Sequence, residues 1–271
     1  LVSPTSFASS CILTPIFYFR LMLKSPRFYA PYFFPLPKEN KNYKQSMEEK
    51  TTTDFTYKLS KAISRVFHPI IMPMYGFIFL TYLSSATPIA YSMQFSFELL
   101  LGLFLLICLI PSLAIYILYL EKHISSLSLT ERKERNKPYL ILLIVSFSLL
   151  YFFGKALPMI FFYQLCMIHF LCVLQAFIIN FFTKISAHAM GCGAMSGFLF
   201  AINIYTNTSC FWLFVLSILI SGLVCSARLK LNAHNNFQVT LGYILGICTT
   251  FAVFFTGYDI LSQVNQKIAI N

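Results

Sequence analysis

The chain has 271 residues, of which 58% are hydrophobic and only 11% are charged. A mean hydropathy of +0.71 together with 30 Phe excludes an ordinary soluble domain and predicts a membrane protein. The length suffices for a single bundle of about six or seven spans. The predicted fold class is therefore an all-α polytopic membrane protein, a bundle of six core transmembrane helices with possibly seven spans.

The amino-terminal part differs from the rest of the chain. Its apolar run is short and is followed by several prolines and a polar stretch ending near Lys44. We expect residues 1–46 to be a poorly ordered or mis-called extension. A basic juxtamembrane segment at 47–63, a transmembrane domain at 64–258 and a tail at 259–271 complete the predicted organisation.

Apolar runs predict the spans in chain order. They lie at about 66–83, 95–120, two within 139–182, then 188–205, 211–224 and 239–255. Polar loops rich in chemically active residues follow the second, fourth and sixth of these runs. Loops after every second span lie on the same side of a membrane, so we expect the three to form one site. The eight cysteines are scattered through the apolar runs and are interpreted as packing residues.

The loop after the sixth run carries the strongest pattern. Arg228 offers a planar cation suited to phosphate, and His234 follows six residues later as a candidate nucleophile. If a helix begins near His234, Gln238 lies on the same helical face and can hold one ring nitrogen. Gly242 and Gly246 continue that face and predict close approach of a neighbouring helix.

Two further loops carry supporting residues. Lys184, Ser186 and His188 precede small residues, which predicts a helix start where a phosphate could bind and a histidine could supply a proton. A basic run precedes the third predicted span and ends at Pro138; its candidate phosphate ligands are Arg132, Arg135 and Lys137, with Lys133 also available.

Taken in order, these three patterns resemble the motifs of the type-2 phosphatidic acid phosphatase superfamily, which run Lys-x6-Arg-Pro, Pro-Ser-Gly-His and Ser-Arg-x5-His-x3-Asp. The resemblance covers roughly residues 121–250 and implies His234 as nucleophile, His188 as general acid and Arg228 as phosphate ligand. In the first motif, whether Arg132, Lys133 or Arg135 substitutes is open. Gln238 replaces the aspartate, a form that resembles the dolichyl-diphosphatase branch.

Acidic residues separate the possible chemistries. No Asp or Glu occurs between Arg135 and Tyr258, whereas Mg²⁺-dependent prenyl or phosphoalcohol transfer needs paired carboxylates. We therefore predict no metal and no other cofactor. A rhomboid-type protease using Ser196 and His234 is a rival, but its serine lies a turn or more inside a helix.

The expected function is hydrolysis of a lipid phosphate or isoprenyl diphosphate through a phosphohistidine. The alternative is a catalytically degenerate protein that binds lipid phosphates or has a structural role. The predicted partner is a membrane lipid substrate; no nucleic acid is expected, and the oligomeric state is open. We expect a multi-pass protein of a bacterial inner membrane. The positive-inside rule favours a cytoplasmic site, whereas the resemblance favours an extracytoplasmic one.

Overall fold

The structure, a computed structural model, describes residues 55–86, 97–129, 131–156, 160–206 and 211–270. Every regular element in these ranges is helical, which confirms the all-α prediction. In chain order the helices are α1 (Phe55–Val66), α2 (Met72–Ala86), α3 (Phe97–Leu120), α4 (Asn136–Ala156), α5 (Ile160–Asn180), α6 (Ala187–Thr206), α7 (Phe211–Lys230) and α8 (Asn236–Ile270). A π-helical turn at Leu105–Leu109 interrupts α3, and a short 3₁₀ turn at Lys133–Arg135 precedes α4.

Several of these helices can cross a membrane. Within the described ranges, five are long and apolar enough: α3, α5, α6, α7 and the Asn236–Gly257 part of α8. Helix α2 contains a shorter apolar stretch, Met72–Thr81. These lengths fit a multi-pass integral membrane protein, and the count of six or seven spans stays a prediction.

The start of the first predicted span is placed differently by the structure. We expected an apolar span from about Val66, but α1 ends there and α2 begins only at Met72. Pro69 disfavours helical geometry at the residue before it, and Pro73 suits the first turn of α2. The two prolines therefore separate an amphipathic helix from an apolar one. The predicted extension at 1–46 lies outside the described residues.

The other end of the chain is helical for longer than expected. Helix α8 continues to Ile270, past the predicted boundary at 258. Helix α7 likewise extends to Lys230 instead of ending near Val224, so Arg228 lies in its last turn. No Gly or Pro lies between Val224 and Lys230 to stop the helix earlier.

Helices α6 and α8 pack at backbone distance because glycines face across their contact. A Cβ on Gly242 would lie 2.7 Å from the carbonyl oxygen of Ser186, and one on Gly246 would lie 2.6 Å from the amide nitrogen of Ala194. A Cβ on Gly193 would overlap the carbonyl oxygen of Tyr243. We call Gly193, Gly242 and Gly246 the glycine seam. It fixes the amino-terminal ends of the two helices beside each other.

Candidate functional site

A cavity of about 1110 Å³ lies where α1 meets the motif loops. Its lysine, arginine and histidine lining residues are Lys61, Arg65, His68, Arg135, His169, Lys184, His188, Arg228 and His234. No Asp or Glu lines the cavity in the described part of the chain. All three predicted motif regions therefore contribute residues to one cavity. The cavity is strongly positive, because no described acidic side chain in its lining offsets these cations.

The remainder of the wall is largely apolar. Lining residues on α5 run from Leu165 to Ala176, so the cavity extends roughly 16 Å along that helix. Ile115, Leu142 and Met190 add apolar surface from α3, α4 and α6. A cavity with a positive end and a long apolar remainder matches an amphiphile with an anionic head and a hydrocarbon chain.

The end of α7 turns the chain so that His234 reaches this cavity. Asn232 adopts a left-handed conformation (φ 50°), which asparagine tolerates better than most residues. The Ala233 N–H donates to the Arg228 carbonyl at 3.2 Å and the Asn232 N–H to the Leu229 carbonyl at 3.0 Å. This pattern is a Schellman motif with asparagine in the usual glycine position.

Helix α8 then begins with a capping box. The Asn235 side-chain oxygen accepts from the Gln238 N–H at 2.9 Å, and the Gln238 side-chain oxygen accepts from the Asn235 N–H at 3.4 Å. The helix therefore starts at Asn236, two residues later than the histidine. His234 is left in the short connection, 9% exposed and facing the cavity.

The His234 ring is held in one orientation by Gln238. Its Nδ1 lies 3.0 Å from the Gln238 Oε1, the contact that the i, i+4 spacing predicts. An amide oxygen only accepts, so Nδ1 carries the proton and Nε2 keeps its lone pair. Burial lowers the pKa of His234 to about 4; the bond to Gln238 opposes this shift, and the charges of Arg135, Arg228 and Lys184 add to it. The ring is therefore neutral near pH 7, as a nucleophile requires.

His188 is engaged by α1. Its Nε2 lies 3.0 Å from the Ser64 carbonyl oxygen and 3.2 Å from the Ser64 Oγ. Since a carbonyl only accepts, Nε2 is the protonated nitrogen. The His68 ring packs edge-on against the His188 ring, with centroids 5.4 Å apart. The predicted general acid thus lies in the cavity with its donor nitrogen directed at α1.

Arg228 connects the same serine to the cavity. Its Nη1 donates to the Ser64 Oγ at 2.7 Å. Its Nε is buried without a hydrogen-bond partner in the described residues. A buried donor without a partner costs free energy, which an anion in the cavity would recover.

The structure separates the remaining predicted residues into two groups. Arg135 is buried, lines the cavity and donates through Nε to the Leu129 carbonyl at 2.8 Å. It is thus the first-motif cation that the fold brings to the cavity, and Lys184 joins it there. Arg132 instead donates to the Phe181 carbonyl at 3.0 Å, and Lys137 is exposed on the first turn of α4.

Ser186 does not line the cavity either. It is fully buried, and its Oγ accepts from the Ala189 N–H at 3.3 Å as the cap of α6. Its own N–H donates to the Gln238 carbonyl at 3.3 Å, which ties the starts of α6 and α8 together. We predicted a phosphate ligand at this position, and the structure gives the residue a capping role. Phosphate oxygens would have to find their donors elsewhere.

The motif analysis missed the polar lining residues of α1 and of the turn after it: Tyr57, Lys61, Ser64, Arg65 and His68. The sequence between Lys58 and Arg65 indicates a basic amphipathic helix, but nothing in its spacing connects it to motifs more than 100 residues away. His68 precedes a proline, and its Nδ1 accepts from the Ile70 N–H at 3.4 Å. Burial, and then the charge of Arg228, lowers the pKa of His68.

Comparison with family models, curated proteins and solved structures finds no match to this chain. The geometry of the cavity is therefore the observation on which a functional proposal depends.

Proposed function

We propose that this protein is a membrane lipid phosphatase that hydrolyses a lipid phosphate or isoprenyl diphosphate through a phosphohistidine. The observation that carries the proposal is His234: a neutral ring with its Nε2 lone pair free, in a cavity with five cations and a long apolar extension. Such a ring can attack a phosphorus atom whose negative oxygens are held by Arg228, Arg135 and Lys184.

In the first step, the His234 Nε2 lone pair forms a bond to phosphorus, and the bond from phosphorus to the leaving oxygen breaks. His188 gives a proton to that oxygen from its doubly protonated state, which the negative charge of the bound phosphate favours. In the second step, a water oxygen attacks phosphorus and the N–P bond breaks, returning its electron pair to Nε2. His188 takes the proton from the water, so the products are inorganic phosphate and the lipid alcohol or monophosphate.

Ser64 imposes one requirement on this mechanism. Its carbonyl and hydroxyl oxygens both lie within hydrogen-bond distance of the His188 Nε2. The hydroxyl oxygen also accepts a hydrogen bond from the Arg228 Nη1. The substrate's oxygens must therefore displace Ser64 from at least one of these groups before His188 can deliver its proton. A small movement of α1 away from α6 would allow this exchange.

The second candidate function is a lipid-phosphate binder without chemistry. The observation in its favour is that both His188 and Gln238 have structural partners, namely Ser64 on α1 and Asn235 in the α8 capping box. The cations of the cavity would bind an anionic head whether or not the histidines react.

Phosphate release from purified protein tests the proposal. Wild-type protein in detergent is assayed on a panel of lipid monophosphates and prenyl diphosphates, with and without EDTA. We expect His234→Ala to lose at least about 10³ in rate, because no nucleophile remains. His123→Ala is the matched control, since His123 is exposed on the loop after α3 and does not line the cavity. Equal rates for His234→Ala and wild type would reject the phosphohistidine, and activity restored by Mg²⁺ after EDTA would indicate a different enzyme class.

A further inference from the structure

Helix α1 presents one polar stripe to the cavity. Tyr57, Lys61 and Ser64 follow each other at helical spacing, Arg65 continues the stripe, and all four line the cavity. Ser64 hydrogen-bonds Arg228 and His188. In the proposed function, Arg228 binds the phosphate and His188 protonates the leaving oxygen. Lys61 and Arg65 therefore flank that position, one helical turn apart on the same helix.

The two cations of this stripe have no acidic partner among the residues that the structure describes. Neither the Lys61 nor the Arg65 side chain makes an ion pair or a hydrogen bond to another described residue. They bring the cavity to five cations, the others being Arg135, Lys184 and Arg228, without a single lining carboxylate among the described residues. A phosphate monoester carries a charge of about −2 at most. It would leave most of this positive charge unbalanced, whereas a second phosphoryl group supplies further anionic oxygens.

We propose that Lys61 and Arg65 of α1 form a second anion subsite, which binds the distal phosphoryl group of a lipid diphosphate beside the Arg228 and His234 position. The subsite rests on the proposed function and narrows its substrate class from lipid phosphates in general to lipid diphosphates. Lysine supplies a mobile point charge and arginine a fork that fits two phosphate oxygens. The Tyr57 hydroxyl, one turn before Lys61, is a further donor on the same stripe.

Binding of two small probes tests the subsite without any need for turnover. The full chain in detergent is titrated with methylenediphosphonate and with methylphosphonate, which differ by one phosphonate group and resist phosphate release. We expect wild type to bind the diphosphonate at least ~10-fold more tightly, since each added charged hydrogen bond contributes about that factor. Lys61→Gln with Arg65→Gln should remove this preference while changing methylphosphonate affinity by only about twofold.

Lys58→Gln is the matched control, because Lys58 is an exposed cation on the same helix that does not line the cavity. It should leave the preference intact. Three results would overturn the subsite: no preference in wild type, equal loss for both probes in the double variant, or an equal loss in Lys58→Gln, which would indicate a general effect of net charge. Size-exclusion elution and thermal unfolding of each variant verify that the protein is folded.

The two proposals fail in different ways. If wild type releases no phosphate from any lipid but shows the diphosphonate preference that the double variant loses, the enzymatic proposal fails and the subsite stands. If wild type hydrolyses lipid phosphates but binds both probes equally, the enzyme stands and the subsite fails.

Discussion

Gln238 makes two kinds of contact with one side-chain oxygen. It accepts from the Asn235 N–H in the capping box of α8, and from Nδ1 of His234. A residue at this position therefore affects the start of a helix and the state of the histidine together. The sequence pattern identified the second contact from the four-residue spacing, but the capping box became visible only with the helix start at Asn236.

Substitution of Gln238 distinguishes these roles. Gln238→Glu keeps the length of the side chain and an oxygen that can accept both hydrogen bonds. Because its carboxylate stabilises the protonated ring, the pKa of His234 should rise from about 4. Because only the neutral ring attacks phosphorus in the proposed mechanism, the acid limb of the kcat/KM profile should move to higher pH by about one unit or more. Gln238→Leu removes both bonds and should lower kcat/KM by on the order of 10², with a loss of ~1 kcal/mol from the cap.

Profiles of phosphate release from pH 3.5 to 8 provide the measurement. An unchanged acid limb in Gln238→Glu would mean that His234 is not the group that titrates. If wild type and Gln238→Leu are both inactive and Gln238→Glu gains turnover, the natural protein is a binder that lacks the charge needed for catalysis.

Contacts between site residues that are close in sequence were predictable, whereas contacts between residues far apart in sequence were not. Arg228, His234 and Gln238 are near neighbours, so residue spacing alone predicted their relative positions. Ser64 hydrogen-bonds Arg228 across 164 residues and His188 across 124, and no periodicity in a single sequence contains that information. Among the candidate cations of the first motif, Arg135 was selected over Arg132 by the 3₁₀ turn that precedes α4, a feature without a clear sequence pattern.

At the scale of helices, the glycine seam holds together the starts of α6 and α8, beside which the two histidines lie. His188 lies in the first turn of α6 and His234 just before α8, so the contact between these helices sets the spacing of the two rings. The Gly-x-x-x-Gly pair predicted close packing, but it did not identify α6 as the partner. That assignment depends on Gly193 and on the Ser186 and Met190 backbone that faces the pair.

Gly246→Ala should disrupt this contact. The added methyl group would overlap the Met190 carbonyl oxygen and the Ala194 amide, which are backbone atoms and cannot rotate away. We expect a loss of roughly 1–3 kcal/mol in stability, from the usual cost of overpacking. Thermal unfolding in detergent measures it. Gly222→Ala is the control, because a Cβ on Gly222 meets nothing within 4 Å. A melting temperature for Gly246→Ala as high as that of the control would show that α6 and α8 are not in backbone contact.

For the whole molecule, charge predicts orientation. From Met47 onward, only Lys155 and Lys267 fall on the side opposite the motif loops, given seven spans. Lys61 and Arg65 contribute to this charge bias, but both line the cavity, where an anionic substrate would account for them. If these two residues are left out of the count of Lys and Arg, the motif side still carries more cations than the opposite side, but by a smaller margin.

A reporter fused after Asn271 tests orientation and span count together. With the motif side in the cytoplasm and seven spans, the carboxyl end should be extracytoplasmic. Fluorescence or phosphatase reporters that function on only one side provide the measurement. A cytoplasmic signal would contradict either the orientation or the number of spans, and a second reporter in the loop after α3 would decide which.

The helical class and the approximate positions of the apolar helices followed from composition and run length, because the bilayer constrains both. The boundaries did not follow as well. Local events set them: Pro69 between α1 and α2, the left-handed Asn232 after α7 and the capping box before α8. Helix α1 shows the same limit, since an amphipathic pattern predicts a helix at an interface but not the cavity that it helps to line.

The glycine seam has a consequence for how this protein can diversify. None of its three glycines lines the cavity, whereas Ile168, Cys172 and Val173 of α5 line the apolar part and take no part in the seam. Under the proposed function, the residues that position the two histidines and the residues that would contact the hydrocarbon chain are therefore separate sets. Exchange of the α5 residues for larger or smaller ones should then shorten or lengthen the accepted chain while the two histidines keep their spacing. Chain-length preference is then a property that directed evolution can alter independently of reactivity.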